Sequence, residues 1–120
     1  MPNPIKVAIV GLGWWATPIG NGARRSAALE LAACYTRNEE KRKAFAEEYG
    51  CAPADSFEAI LADDSIEGVL LTTPNTAHAD QIVAAMRAGK HVWVEKPITN
   101  TLAEAPGVLA AWREAGLTLA

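Results

Sequence analysis

The chain has 120 residues, the size of one ordinary domain, with 50% hydrophobic and 21% charged residues. Its net charge of −3 gives no electrostatic reason to expect nucleic acid or an anionic membrane as a partner. No apolar run reaches the roughly 18 residues of a membrane span, and MPNPIKVAIVG lacks the basic n-region of a secretory signal.

Strand and helix patterns alternate along the chain. Ile5–Val10 is a β-branched apolar run ending at Gly11 and reads as a strand. A helix is expected over residues 14–25, with Pro18 in its first turn; Gly20 and Gly22 weaken its second half. Leu29–Tyr35 is the next strand. Glu39–Tyr49 is a helix with Ala44, Phe45 and Tyr49 as its apolar contacts, closed by Gly50. Residues 51–54 form a short third strand, and Ser56 caps a helix over 57–63. Residues 66–72 (IEGVLLT) read as a strand buried on both faces. A helix over 77–88 stops at Gly89, and a strand follows over 91–95. Residues 102–115 are helical, with Pro106 either kinking that helix or delaying its start. Residues 117–120 (LTLA) begin a further strand.

This alternation predicts a single-domain α/β fold of three layers. It is a doubly wound parallel sheet of the Rossmann type, with helices on both faces and right-handed crossovers. Ligands of such sheets bind beyond the carboxyl ends of the strands. The two cysteines, Cys34 and Cys51, have neither metal-ligand nor C-x-x-C spacing, and no metal site is expected. Sequence alone leaves a bridge between them open; the expectation is two reduced cysteines in a cytoplasmic protein.

The strand ends carry the chemistry. Gly11, Gly13 and Ala16 form G-x-G-x-x-A between a strand and a helix. The first glycine allows a tight turn, the second allows close approach of backbone to a pyrophosphate, and the third, small position allows helix and strand to pack. The N–H groups and dipole of the following helix then face the phosphates. No Lys-Ser or Lys-Thr follows the glycines, so a dinucleotide is expected rather than ATP.

An NAD site places an acid after the second strand to bind the ribose hydroxyls. Here Thr36 and Arg37 stand there, with Lys41 one helical turn on. A hydroxyl and a guanidinium suit a 2′-phosphate, so NADP(H) is expected over NAD(H). The competing reading makes Arg37 and Lys41 a solvated helix face. After the fourth strand, Thr73, Pro74 and Asn75 form a rigid exit that can border the cofactor riboses. Asn75 or Thr76 can equally cap the next helix. His78, in the first turn of that helix, reads as a surface or packing residue rather than a base. After the fifth strand come Glu95, Lys96 and Pro97. Lys96 is placed to polarise a substrate oxygen at the nicotinamide end; a plain strand-end salt bridge is the alternative.

The stretches GLGWWA, AACYTRNEEKRKAFAEEYG and TTPNTAHADQIVAAMRAGKHVWVEKP together resemble the Gfo/Idh/MocA family of NAD(P)-dependent oxidoreductases. The resemblance covers essentially the whole chain. It implies hydride transfer between NAD(P) and a hydroxyl or carbonyl carbon of a sugar, inositol or related polyol. It further implies that Gly11, Gly13 and Ala16 hold the pyrophosphate and that Thr36 and Arg37 hold the adenosine ribose or its 2′-phosphate. Thr73, Pro74, Asn75 and His78 would border the ribose and nicotinamide region. Glu95, Lys96 and Pro97 would form the E-K-P motif, with Lys96 catalytic and the Lys-Pro bond sometimes cis.

Family members usually carry a second α/β domain that covers the nicotinamide, supplies a catalytic histidine and often makes the oligomer. His78 and His91 both precede E-K-P, so residues 1–120 resemble the cofactor domain alone and would be inactive by themselves. Trp14 and Trp15 occupy free positions of the glycine turn; they are expected to wall the substrate side or the domain interface, with at least one unusually exposed. Two other readings stand beside this one. The first is a non-catalytic NADP(H)-binding module or a subunit that needs a partner chain; the second is a nucleotide-sugar domain without redox chemistry.

Overall fold

A computed structural model describes residues 3–120. Five parallel strands form one sheet: β1 (Ile5–Val10), β2 (Leu29–Tyr35), β3 (Ala52–Pro53), β4 (Gly68–Leu71) and β5 (His91–Val94). Their spatial order is β3-β2-β1-β4-β5. Leu119 bridges Val92 in parallel, so residues at the end of the chain align beside β5. The helices are α1 (Ala16–Arg25), α2 (Glu39–Tyr49), α3 (Phe57–Ala62), α4 (Asn75–Arg87) and α5 (Ala105–Ala115), the last preceded by a 3₁₀ turn over Leu102–Glu104. The expected doubly wound α/β fold is present. None of the helices is long and apolar enough to cross a membrane among the described residues.

Alternation along the strands feeds two cores. Val7, Ile9, Cys34 and Leu70 meet Ala16 and Ala23 of α1 and Phe45, Ala46 and Tyr49 of α2. Ala8, Val10, Val69, Leu71, Val92 and Val94 meet Ile60 of α3, Ile82, Ala85 and Met86 of α4, and Val108 and Ala111 of α5. The period of two sends neighbouring residues of β1 into opposite layers. Burying side chains the size of Ile82 or Met86 contributes roughly 1.5–3 kcal/mol each.

Several expectations are corrected in detail. Ala46, not Ala44, joins Phe45 and Tyr49 in the core, while Ala44 is exposed. The weak helical prospects of Gly20 are explained by α2: a Cβ there would stand 3.1 Å from Phe45 Cζ and 3.2 Å from Tyr49 Cε1. Phe45 and Tyr49 stack at 4.2 Å, and the Tyr49 hydroxyl donates to Asn21 Oδ1 at 2.9 Å, tying α2 to α1. Pro106 delays α5 rather than kinking it, since it lies in that helix's first turn. Helix α4 begins at Asn75, two residues earlier than expected, because Pro74 takes the N-cap place with φ −58°.

The chain leaves β1 to build β2 and β3 on one side, then crosses over to build β4 and β5 on the other. The order therefore reverses between β1 and β4, and a crevice opens at their carboxyl ends, where Gly11 and Thr72 lie.

Candidate functional site

The turn after β1 is held from both sides. The Gly11 N–H donates to the Tyr35 carbonyl at 2.8 Å, and the Thr72 hydroxyl donates to the Gly11 carbonyl. Gly11 has φ +89°, a conformation that disfavours any side chain. Gly13 is different: a Cβ there would meet nothing within 4 Å. Among the described residues, no backbone carbonyl accepts from the N–H groups of Leu12, Gly13, Trp14 or Trp15. Helix α1 has no acidic residue in its first turn. Free donors, a helix N-terminus and open space above a glycine are what a pyrophosphate requires. Ala16 is buried in the core between α1 and the sheet, the close packing expected of the small third position of the motif.

A cleft of about 430 Å³ opens beside this turn. Gly11, Thr36, Arg37, Lys41, Thr73 and Pro74 line it, which gathers six of the residues singled out from sequence. Tyr35, Asn38, Thr76 and Gln81 complete its polar lining. Asn38 caps α2 by accepting from the Lys41 N–H at 3.0 Å. Arg42 lies 5.5 Å from the centre of the Tyr35 ring, so it supports that wall from behind. Among the described residues, neither Arg37 nor Lys41 forms an ion pair; the pairs are Lys6–Glu30 and Lys43–Glu39. The cleft presents cations and no carboxylate, a donor set that fits a phosphate-bearing ribose.

Gln81 was not anticipated. Its Oε1 accepts from the Thr73 hydroxyl at 2.6 Å. The signal was available: Gln81 lies four residues after Ala77 and three after His78, on one helical face. Thr72, at the head of the same strand exit, holds Gly11 through its hydroxyl.

Asn75 and Thr76 do not cap α4, whose N-cap is Pro74 without a side-chain hydrogen bond. Asn75 is exposed at the helix start, which removes the competing explanation for its presence. His78 is 0% exposed, as a packing residue would be, and presents no surface of its own where the resemblance set it beside the riboses. Its Nδ1 lies 2.6 Å from the Pro97 carbonyl oxygen and its Nε2 lies 2.9 Å from that of Thr73.

Glu95, Lys96 and Pro97 follow β5 outside the cleft. The Glu95 N–H continues the sheet to the Leu71 carbonyl at 3.0 Å, and the Glu95 carboxylate accepts from the Lys96 N–H at 3.0 Å. The Lys96–Pro97 peptide is cis. The Lys96 side chain is exposed and, among the described residues, in no salt bridge. Trp14 and Trp15 are 74% and 48% exposed and meet edge to face at 4.6 Å. Trp14 borders a shallow depression with Thr17, Pro18 and Asn21, away from the cation-lined cleft.

A second hollow of about 360 Å³ runs over the sheet face along Val7, Leu29, Leu70 and Trp93. It is apolar and lies away from the glycine turn, so it lacks the groups that hold phosphates. Among the described residues, no three His, Cys, Asp or Glu side chains gather as metal ligands.

Residues 5–120 match the oxidoreductase family described as having an NAD-binding Rossmann fold. This chain belongs to the Gfo/Idh/MocA family. Within the Gfo/Idh/MocA family, it is 36% identical over 118 residues to dTDP-3,4-didehydro-2,6-dideoxy-alpha-D-glucose 3-reductase of Actinomadura kijaniata, covering 98% of this chain and 36% of the relative. It is 43% identical over 91 residues to D-xylose 1-dehydrogenase (NADP(+)) 2 of Haloferax volcanii, covering 75% of this chain and 28% of the relative. A solved 3-ketoreductase from Actinomadura kijaniata, in complex with NADP and TDP-benzene, superposes with a TM-score of 0.93 at 34% identity. That match covers 98% of this chain and 36% of the solved one. The chain thus spans about a third of the length of the Gfo/Idh/MocA relatives it matches, and it is their NAD(P)-binding Rossmann part.

Proposed function

We propose that these residues form the cofactor half of an oxidoreductase that acts on a hydroxyl or carbonyl carbon of a sugar, inositol or related polyol, with NADP(H) preferred over NAD(H). The observation that carries the cofactor preference is the cleft in which Thr36, Arg37 and Lys41 stand together with no acid among them. A carboxylate at the end of β2 would accept from ribose hydroxyls and repel a 2′-phosphate; a guanidinium and an ammonium attract it.

The chemistry supplied by the bound dinucleotide is hydride transfer at the nicotinamide ring. The chain's own residues divide the remaining work. The N–H groups of Leu12 to Trp15 bind the pyrophosphate. Arg37 and Lys41 hold the adenosine end, with Thr36 donating or accepting through its hydroxyl. Asn75 and Pro74 border the riboses. Lys96 is the catalytic residue proposed here: its ammonium orients and polarises the substrate oxygen. Glu95 fixes the Lys96 backbone through the N–H it accepts.

A further domain, in line with the greater length of the relatives, would cover the nicotinamide and choose the substrate; Trp14 and Trp15 would face it, and assembly into oligomers would run through it. The deciding experiment is a pair of titrations on this chain, NADPH against NADH, read by calorimetry. Tighter binding of NADPH is expected. Equal affinity sinks the preference, and absence of binding to either sinks the reading.

A further inference from the structure

Three strand ends meet at this site, and one buried side chain joins two of them. His78 comes from the first turn of α4 and is fully enclosed. Its two ring nitrogens face two carbonyl oxygens, Pro97 at 2.6 Å and Thr73 at 2.9 Å. Carbonyl oxygens only accept, so each nitrogen that bonds must donate. One ring N–H is enough to hold one of the two, and the shorter approach marks the Pro97 carbonyl as the acceptor.

What the two carbonyls belong to gives the arrangement its meaning. Thr73 is packed on the glycine turn: its Cγ2 would lie 2.8 Å from a Cβ at Gly11. Pro97 directly follows Lys96, in a segment from Glu95 to Asn100 that belongs to no helix or strand. Among the described residues, its regular anchor on the near side is the Glu95 N–H on Leu71. An exposed lysine on an irregular loop is a poor candidate for precise placement unless the loop is held. We propose that His78 is the positioning residue of Lys96: a clasp, seated between the Thr73 and Pro97 carbonyls and donating to Pro97, that fixes the Lys96–Pro97 backbone against the loop bordering the glycine turn.

The inference rests on the proposed place of Lys96 at the reacting end. The clasp itself is read without any dinucleotide, so its failure and the failure of that reading are distinguishable. The first test needs no variant. In the ¹⁵N,¹³C-labelled chain, a slowly exchanging His78 ring proton is expected, with a hydrogen-bond scalar coupling from its nitrogen to the carbonyl carbon of Pro97. Absence of that coupling overturns the clasp.

The second test separates positioning from general stabilisation by residue-resolved amide exchange. In His78→Phe, exchange at Glu95, whose N–H is held on the Leu71 carbonyl, and at Lys96 should accelerate roughly tenfold, the factor expected on losing hydrogen bonds of ordinary strength. Amides of Val7 to Val10 in β1 should keep their protection. His78→Gln, which retains an N–H donor, should recover part of the loop protection. Equal acceleration in loop and core overturns the inference, because it assigns His78 to stability alone. Unchanged exchange at Glu95 and Lys96 overturns it too.

Discussion

Gly11 and Thr72 are locked together: the Thr72 hydroxyl donates to the Gly11 carbonyl, and a Cβ on Gly11 would stand 2.7 Å from the Thr72 carbonyl oxygen. Gly13, two residues on, has no such neighbour. The two glycines of one motif thus answer to different demands, one to the fold and one to the ligand. Gly11→Ala should lower stability by about 2–4 kcal/mol through positive φ and backbone collision. Gly13→Ala should stay within about 0.5 kcal/mol of the parent. It should nonetheless weaken NADPH binding by about tenfold or more, since the methyl enters the space reserved for phosphate oxygens. Urea unfolding and calorimetric titration of both variants check this; equal stability losses would erase the division.

Arg37 is predicted to set the cofactor ratio. A charge-assisted hydrogen bond to a phosphate contributes about 1.5–3 kcal/mol, less at an exposed site. Arg37→Glu should therefore weaken NADPH by roughly tenfold or more, while NADH changes by less than about threefold. Parallel losses for both cofactors would mean that Arg37 does not read the 2′-phosphate.

Much of this was legible in the sequence because its causes are local. The ends of β1, β2 and α2 follow from β-branched runs, the Asn38 cap and Gly50 in the left-handed conformation. The cation cluster was legible because Thr36, Arg37 and Lys41 lie within one strand exit and one helical turn. Strand β4 is shorter than expected, Gly68–Leu71 rather than 66–72: the Ile66 N–H turns back to the Asp63 carbonyl, and Thr72 keeps one backbone bond to Val10 while its hydroxyl turns to Gly11. His78 was illegible for another reason. Its partner Pro97 is 19 residues away, and no periodicity reports a contact between two strand ends. Gly20 looked like a weakness of α1 until the rings of α2 were in place above it.

Lys90 is a second case of this long-range kind. It is buried, and its ammonium donates to the carbonyls of Asp63 at 2.7 Å and Ile66 at 2.8 Å. Those bonds pin the entry to β4 at the end of the sheet opposite the cleft. Lys90→Met removes the charge and leaves both carbonyls without that donor. A loss of about 1–3 kcal/mol is expected, because the Asp63 carbonyl keeps the Ile66 N–H while the buried Ile66 carbonyl is left unpaired and carries its desolvation cost. NADPH affinity of the folded variant should be unchanged. A matching loss of affinity would show that Lys90 acts on the site after all.

The chain has four tryptophans, and Trp14 at 74% is far more exposed than Trp15 at 48% or Trp112 at 37%. Its emission should be red-shifted and readily quenched by iodide, and Trp14→Phe should remove that component. NADPH binding should quench the parent more than the Trp14→Phe variant if this indole stands near the cofactor. Equal quenching in the two proteins would remove Trp14 from the cofactor side and leave it to the domain interface.

The cysteines give a pH-dependent prediction. Cys34 and Cys51 are free and adjacent. A hydrogen bond from Cys34 holds the Cys51 thiol below its ordinary range, and the same contact with burial pushes Cys34 well above it. The thiolate is the reactive form, so the sign is fixed: as pH rises, Cys51 becomes nucleophilic first, below the pH at which an ordinary thiol does. Iodoacetamide labelling at stepped pH, read by mass spectrometry, should modify Cys51 while Cys34 stays intact. In Cys34→Ala the hydrogen-bond donor is gone, and the labelling profile of Cys51 should move to higher pH. Labelling of Cys34 ahead of Cys51 would contradict the assignment of the lowered thiol, and an unmoved profile in Cys34→Ala would contradict its cause.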